Sequence, residues 1–336
     1  MRIFRFVVRR LLQLIPVLLG VVVLTFLLVR VLPGDPIRSI LGQNATEADA
    51  AAARARFGLD QPLWRQFLDY LGGLVTGDFG TSIQSGASVG GEMALRIGPT
   101  LELVVIAVSI ALVVATVLGV WSARRANRLG DHGIRLFALV GNSIPEFWLG
   151  LMLVLLGYSV LGWFPAPSGR VDPDANLTPI TGADLVDAVL TANGPAISSA
   201  AAHLVLPVLT LVVGVVAPLL RSVRASALEV LNSEAYAAAA AHGLPPRTLL
   251  HGYLMRSTLV RLPALAALVF GTAIGSTVLV EYVYSWQGFG QWALRGLLYR
   301  DYPVVQASVL VIALCYVLVF LIADVVHAIL DPRVRI

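Results

Sequence analysis

Few side chains in this sequence could do acid–base, nucleophilic or metal chemistry, and they are scattered. The five histidines are His132, His203, His242, His251 and His327. No two fall at metal-ligand spacing on one helix face, because a Gly-Leu-Pro-Pro break separates His242 from His251. The one cysteine, Cys315, lies inside an apolar run and reads as a small core residue, which leaves no disulfide and no cysteine metal site. There is no HExxH, no GxSxG and no glycine-lysine phosphate loop. A chain without a phosphate-binding loop does not hydrolyse ATP, so energy from ATP must come from another subunit. Four acids fall in or beside long apolar runs: Glu102, Glu146, Glu281 and Asp324. Such acids are functional candidates by default. Glu102, Glu281 and Asp324 sit close enough to run ends for solvation or an arginine partner. Glu146 is deeper, in NSIPEFWLG, where Pro145 frees backbone groups and kinks a helix. It reads equally as a bundle-interior pair or as a lining group of a pathway, with Ser143 beside it.

The elements that would position these groups are membrane helices. Of 336 residues, 57% are hydrophobic and only 13% charged, with a mean hydropathy of +0.82. A soluble domain carries roughly 25% charged residues. Six apolar runs approach or exceed the ~20 residues that cross ~30 Å of hydrocarbon. They are predicted at about 11–29, 101–121, 136–161, 203–220, 262–283 and 304–329. The first follows Arg2, Arg5, Arg9 and Arg10 like a signal peptide, but it is longer than a signal core and lacks a small-x-small cleavage site, so it reads as an uncleaved span. Six spans put both termini on one side. All 24 basic residues are arginine, and the short loop 122–135 holds Arg124, Arg125, Arg128 and Arg135. That placement predicts cytoplasmic termini, and nucleic acid is excluded as a partner by the dispersal of charge.

Outside the spans, 33–93 is expected to be a helical external region. One helix starts at Thr46 with Asp49 in a capping box and ends at Gly58. A second starts near Asp60 and carries Leu63, Trp64, Phe67, Leu68, Leu71 and Leu74 at helical spacing, a stripe for the membrane surface or the bundle. Residues 162–200, rich in proline and aspartate, read as a mobile external loop without assignable chemistry. A cytoplasmic tail is expected at 331–336. Residues 233–263 are too polar to cross a bilayer. They begin Ser-Glu, run through alanines, break at Gly243-Leu244-Pro245-Pro246 and resume with Arg247, His251, Arg256 and Arg261. An alanine helix, a glycine turn and a short basic helix suit a docking element as well as an ordinary loop.

These residues carry a family resemblance. RRLLQLIPVLLGVVVLTFLLVRVLPGDP at 9–36, FGLDQPLWRQFLDYLGGLVTGDFGTS at 57–82, SIPEFWLG at 143–150 and GWFPAPSG at 162–169 resemble a permease subunit of the bacterial ABC importers for dipeptides, oligopeptides and nickel, in the DppB/OppB-like subfamily. EYVYSWQGFGQWALRGLLYRDYPVVQASVL at 281–310 and LDPRVR at 330–335 extend it nearly end to end. The resemblance implies an all-α membrane domain of six spans and a coupling helix, the EAA motif, that docks on an ATPase subunit. Its ATPase-coupling positions here are Glu234, Ala238, Ala239, Gly243, Leu244, Arg247, His251 and Arg256. Ala237 stands where an acid is expected, and Arg261 where a proline is expected. Pathway candidates are Glu146, Ser143 and Glu281. The implied partners are a second permease subunit, two ATP-binding subunits holding ATP and magnesium, and an external solute-binding protein that selects a peptide. This chain itself would carry no cofactor and no metal. A proton-coupled carrier using Glu146 is the alternative, and an intramembrane enzyme is disfavoured for want of a nucleophile–base pair.

Overall fold

A computed structural model describes the backbone of residues 2–31, 37 and 46–330, and side chains from residue 8 with residue 31 excepted. The LPGDP segment, the side chains of Arg2 and Arg5, and the tail 331–336 lie outside the described residues. Among the described residues every regular element is helical, and the only pairing of extended backbone is a bridge between Thr81 and Ser88.

Helix α1 (Arg2–Val31) is followed by α2 (Glu47–Arg56) and α3 (Leu63–Thr76). The capping box forms: the Thr46 hydroxyl accepts from Asp49 N at 3.2 Å, and the Asp49 carboxylate accepts from Thr46 N at 3.1 Å. The apolar stripe of α3 divides between two surfaces. Phe67 meets Phe26 of α1 edge-on at 5.0 Å and Tyr70 stacks on it at 6.1 Å, while Leu63, Trp64 and Leu68 face outward. Arg30, over the Phe26 ring, donates to Gln66 Oε1 at 3.1 and 2.8 Å and fixes α3 across the end of α1.

Among the described residues, five helices are long and apolar enough to cross a membrane. They are α1, α4 (Val89–Arg124), α8 (Gly194–Leu231), α10 (Leu262–Val283) and α12 (Tyr302–Leu330). The expected third span is two helices, α5 (Leu129–Ser143) and α6 (Glu146–Val154), the latter continuing as a π-helix to Val160. They are bent by 97°, and as one broken span they make the sixth. Pro145 explains the break: it supplies no N–H and forces Ile144 into an extended conformation at ψ 125°. The second and fourth spans outrun their apolar runs. At 36 and 38 residues, α4 and α8 are about 54 and 57 Å long, so both project beyond ~30 Å of hydrocarbon.

The core is the α4–α8 pair, with α10 laid against it. Ala107, Ala111, Ala115 and Gly119 recur every fourth residue on α4 and are all buried. Small side chains at this spacing let two backbones approach, which favours helix association where no hydrophobic driving force exists. Arg10 pairs with Asp324 at 3.0 Å, and His327 Nδ1 donates to Val260 O at 2.8 Å. These contacts put the start of α1 and the end of α12 at the end of the bundle that carries residues 233–261.

At the opposite end the connections are built on buried acids. Glu102 of α4 accepts from Leu185 N at 3.0 Å and Val186 N at 3.1 Å at the start of α7 (Asp184–Leu190). Residues 162–200 are therefore folded onto the bundle, not a mobile loop. Asp187, fully buried, takes the Ile180, Thr181 and Gly182 N–H groups at 3.0, 2.8 and 3.0 Å and the Thr181 hydroxyl at 2.6 Å. Burial pushes its carboxyl up, but the four hydrogen bonds outweigh burial and hold it below the ordinary carboxylate range. Burial raises the Asp184 carboxyl in spite of Arg170, which donates to it at 2.8 Å. Asp301 receives the Ser82 hydroxyl at 2.6 Å and Gln84 N at 3.1 Å, pinning the 82–84 turn to the start of α12.

Candidate functional site

The alanine run becomes helix α9 (Glu234–Ala241) because both ends are capped locally. Ser233 Oγ accepts from Tyr236 N at 3.2 Å at one end. At the other, Gly243 N donates to Ala240 O at 3.0 Å and Leu244 N to Ala239 O at 3.4 Å, with Gly243 at φ +75°. This pair of bonds is a Schellman motif, and its left-handed residue has to lack a Cβ to avoid strain. Pro246 then opens a second helical stretch, which widens to a π-helix over Leu249–Met255 and closes as Arg256–Leu259.

One side of this element is held by the bundle. Ala239 is 7% exposed and Leu254 1%, and Leu254 belongs to a cluster with Val120 and Ala123 of α4 and Val223 and Ala227 of α8. Tyr236 and Leu250 pack against the same cluster. Arg261, where a proline was expected, donates two hydrogen bonds to Glu229 at 2.5 and 2.9 Å and ties the end of α8 to the start of α10. The other side is bare. Glu234, Ala235, Ala237, Ala238, Ala240 and Ala241 are exposed, as are Gly243, Arg247, His251 and Arg256. The eight expected coupling positions thus divide: Ala239 and the half-buried Leu244 turn toward the bundle, and the other six face outward.

Glu146 opens α6 just past the bend, and it is half-buried. Its carboxylate lies against the backbone of α8 at Gly214, where a Cβ would overlap it, and it interacts with the Ser276 hydroxyl of α10. Three spans therefore meet at this acid. Ser143, on the other side of the break, is exposed, and its hydroxyl donates to Leu139 O at 2.8 Å. On α10, Thr272 and Gly275 are exposed beside Ser276. Tyr284 locks the same three elements further along, its hydroxyl 2.9 Å from Thr210 Oγ1 and donating to Gly150 O at 3.3 Å.

Glu281 stands elsewhere. It has no exposed surface, accepts a hydrogen bond from Thr100, and takes Gln291 N at 2.7 Å in the first turn of α11 (Phe289–Leu298). A carboxylate at a helix N-terminus satisfies orphan N–H groups and the helix dipole together. This acid anchors the 284–298 segment between α10 and α12 and faces no open space. Glu281 is thus satisfied by backbone and hydroxyl donors within the protein, and one oxygen of Glu102 is held by two backbone N–H groups.

Sequence reasoning passed over Asp131. It is fully buried and takes the Arg224 guanidinium in two bonds of 2.7 and 2.8 Å, the Ser122 hydroxyl, and Asn127 N at 3.0 Å. It joins α4, α5 and α8 directly beside the coupling element. The signal was present as an acid within an arginine-rich loop, but such residues are usually solvated, and nothing local announces a partner 93 residues away. Among the described residues, no group of three or more His, Cys, Asp or Glu could hold a metal ion.

Residues 115–336 match the family described as the inner membrane component of binding-protein-dependent transport systems. Residues 3–89 match its N-terminal companion family. The chain is 37% identical to the di/tripeptide transport system permease protein DppB of Pseudomonas aeruginosa over 98% of both chains. It is 35% identical to the dipeptide transport system permease protein DppB of Escherichia coli K12, again over 98% of each. The oligopeptide transport system permease protein AppB of Bacillus subtilis is 33% identical over 98% of this chain and 99% of its own. The match runs over nearly the whole length of each relative, and the family is a transport component and not an enzyme. This chain belongs to the inner-membrane permease components of binding-protein-dependent transport systems.

Proposed function

We propose that this chain is one of two permease subunits of an ATP-driven importer of short peptides, and that residues 234–256 couple it to cytoplasmic ATPase subunits. The observation that carries the reading is the two-sided burial of α9. Its inner face is rooted in the ends of α4 and α8, and its outer face is a row of alanines with nothing on them. Small side chains let a partner surface approach closely, and a rooted element transmits a push to the spans it is rooted in. Arg247, His251 and Arg256 add positive charge beside that row. Peptide as the cargo follows from the relatives named above.

On this reading the end of the bundle with α9, the start of α1 and the end of α12 is cytoplasmic, which agrees with the arginines of the 122–135 loop. The opposite end, with residues 46–88, 162–200 and 284–303, meets an external solute-binding protein. Glu146 lies at the broken span and forms part of the pathway lining, Ser143 faces outward on α5 beside Leu139, and Glu281 holds the 284–298 segment. ATP and magnesium belong to the partner subunits. The test is mild-detergent purification of the tagged chain with mass spectrometry of what accompanies it. A second six-span subunit and P-loop ATPases are expected. A well-behaved chain that repeatedly purifies alone, and that takes up solute in a proton-dependent way in liposomes, would replace the reading with a carrier built on Glu146.

A further inference from the structure

A cleft of about 340 Å³ opens between α5 and α8, lined by Arg135, Ala138, Leu139, Leu220, Arg221 and Arg224. Three guanidiniums stand over a floor of three apolar side chains, and the charges do not balance. The nearby buried carboxylate, Asp131, is already satisfied by the paired bonds from Arg224. Arg135 reaches Asp131 only at 3.8 Å and otherwise contacts His132 at 2.7 Å, and Arg221 has no ion pair or hydrogen bond among the described residues. Two positive charges are left at the mouth of the cleft.

The surroundings identify the medium. On α5, Leu136, Phe137, Leu139 and Val140 are each more than half exposed, a surface suited to hydrocarbon and not to a soluble partner. Trp121, at the end of α4, lies against Gly130 at the start of α5, and Arg125 stacks on it at 4.5 Å. Tryptophan and arginine together mark the headgroup depth of a bilayer. We propose that this cleft binds the phosphate headgroup of an anionic phospholipid, with Arg135 and Arg221 on the phosphate oxygens and an acyl chain lying along Leu139 and Leu220. Guanidinium suits this role because its fork matches phosphate geometry and its charge is permanent. Basic clefts between membrane helices bind such headgroups in general. The inference needs only that the chain sits in a bilayer, and it stands apart from the coupling assignment.

The test uses the full chain in mild detergent with whatever subunits accompany it, delipidated and then titrated with phosphatidylglycerol, cardiolipin, phosphatidylcholine or inorganic phosphate. Native mass spectrometry reads the retained lipid. The anionic lipids are expected to be retained and phosphatidylcholine not. Each arginine removed should weaken retention roughly fivefold, and Arg135→Gln with Arg221→Gln together about 25-fold. Arg295→Gln, on α11 at the other end of the bundle, should match the wild type. If the double variant fails to fold, Arg221→Gln alone, at an exposed position, should still show the fivefold loss. Unchanged anionic-lipid retention in a folded variant overturns the proposal. So does inorganic phosphate that displaces the lipid at millimolar concentration, which would make the cleft a site for free phosphate. Protection of both arginines by a subunit in the intact assembly would make it a protein interface and overturn it equally.

Discussion

Acids do the structural work at both ends of this bundle, and each is satisfied by donors distant in sequence or by turn amides. Asp187 illustrates the consequence for pH. Its carboxyl is held below the ordinary range, so its stabilisation is present above the unfolded value near 4 and is lost as pH falls through the folded value. Asp184 titrates above the ordinary range, so its contribution is flat below about pH 4 and does not mask this window. Intrinsic-rate-corrected hydrogen exchange at Ile180, Thr181 and Gly182 should show protection at pH 6 that fades below pH 4. Asp187→Asn should remove the pH dependence and cost about 1–3 kcal/mol, because one amide face presents donors to donors. Protection that persists unchanged to pH 3 would refute this. Asp131→Asn should cost about 3–5 kcal/mol by leaving Arg224 unpaired in a buried site, read as a loss of thermal stability of the purified chain. None of these acids was legible as an anchor in the sequence. Glu102 and Glu281 were visible only as acids near the ends of apolar runs, and their partners on α7, α11 and Thr100 come from tertiary packing. Asp324 was open to solvation or to an arginine partner, and in the fold it pairs with Arg10.

Helix identities were legible where periodicity and punctuation agree. The Thr46/Asp49 box, the stop near Gly58 and the bounds of α10 all follow local rules that packing does not override, whereas α3 starts at Leu63 after Pro62 and not near Asp60. The lengths of α4 and α8 were not, because the parts beyond the apolar run are amphipathic and are held helical by neighbours. The fourth apolar run carries Pro207 and Pro218, and α8 runs through both. Membrane helices tolerate proline where neighbouring helices satisfy the freed groups. The kink at Pro145 was foreseen, but not its 97° extent. Two predictions belong here. Gly214→Ala should push the Glu146 carboxylate away from α8 while sparing the fold, since the overlapping atoms are the end of a flexible side chain. Transport should fall several-fold with normal protein abundance, and wild-type transport would remove Glu146 from the pathway. Gly243→Val has open space for its side chain but the wrong φ, so it should break the turn at a cost of about 1–3 kcal/mol and uncouple ATP hydrolysis from transport. Full transport at normal abundance would count against the coupling assignment.

At the scale of the molecule, the proposed function makes the chain one half of a pathway. Leu24, Leu28, Val113, Val117 and Leu268 are each at least half exposed on the spans, as expected of helices whose solvent is lipid or a second subunit. The fold class and the family were readable from composition and from runs such as SIPEFWLG, because membrane spans announce themselves by hydropathy. The division of α9 into a rooted and a bare face was not, since a run of alanines has no pattern to read. That division is also the sharpest test of the account. With Cys315 replaced by serine, single cysteines would be placed at Ala238 and Ala239 in turn and labelled in the intact membrane assembly with a short cross-linker that is thiol-reactive at one end and photoreactive at the other. The account predicts a cross-link from position 238 to an ATP-binding subunit and little or none from position 239. Equal cross-linking at both positions, or none at 238 while 239 reacts, would contradict it.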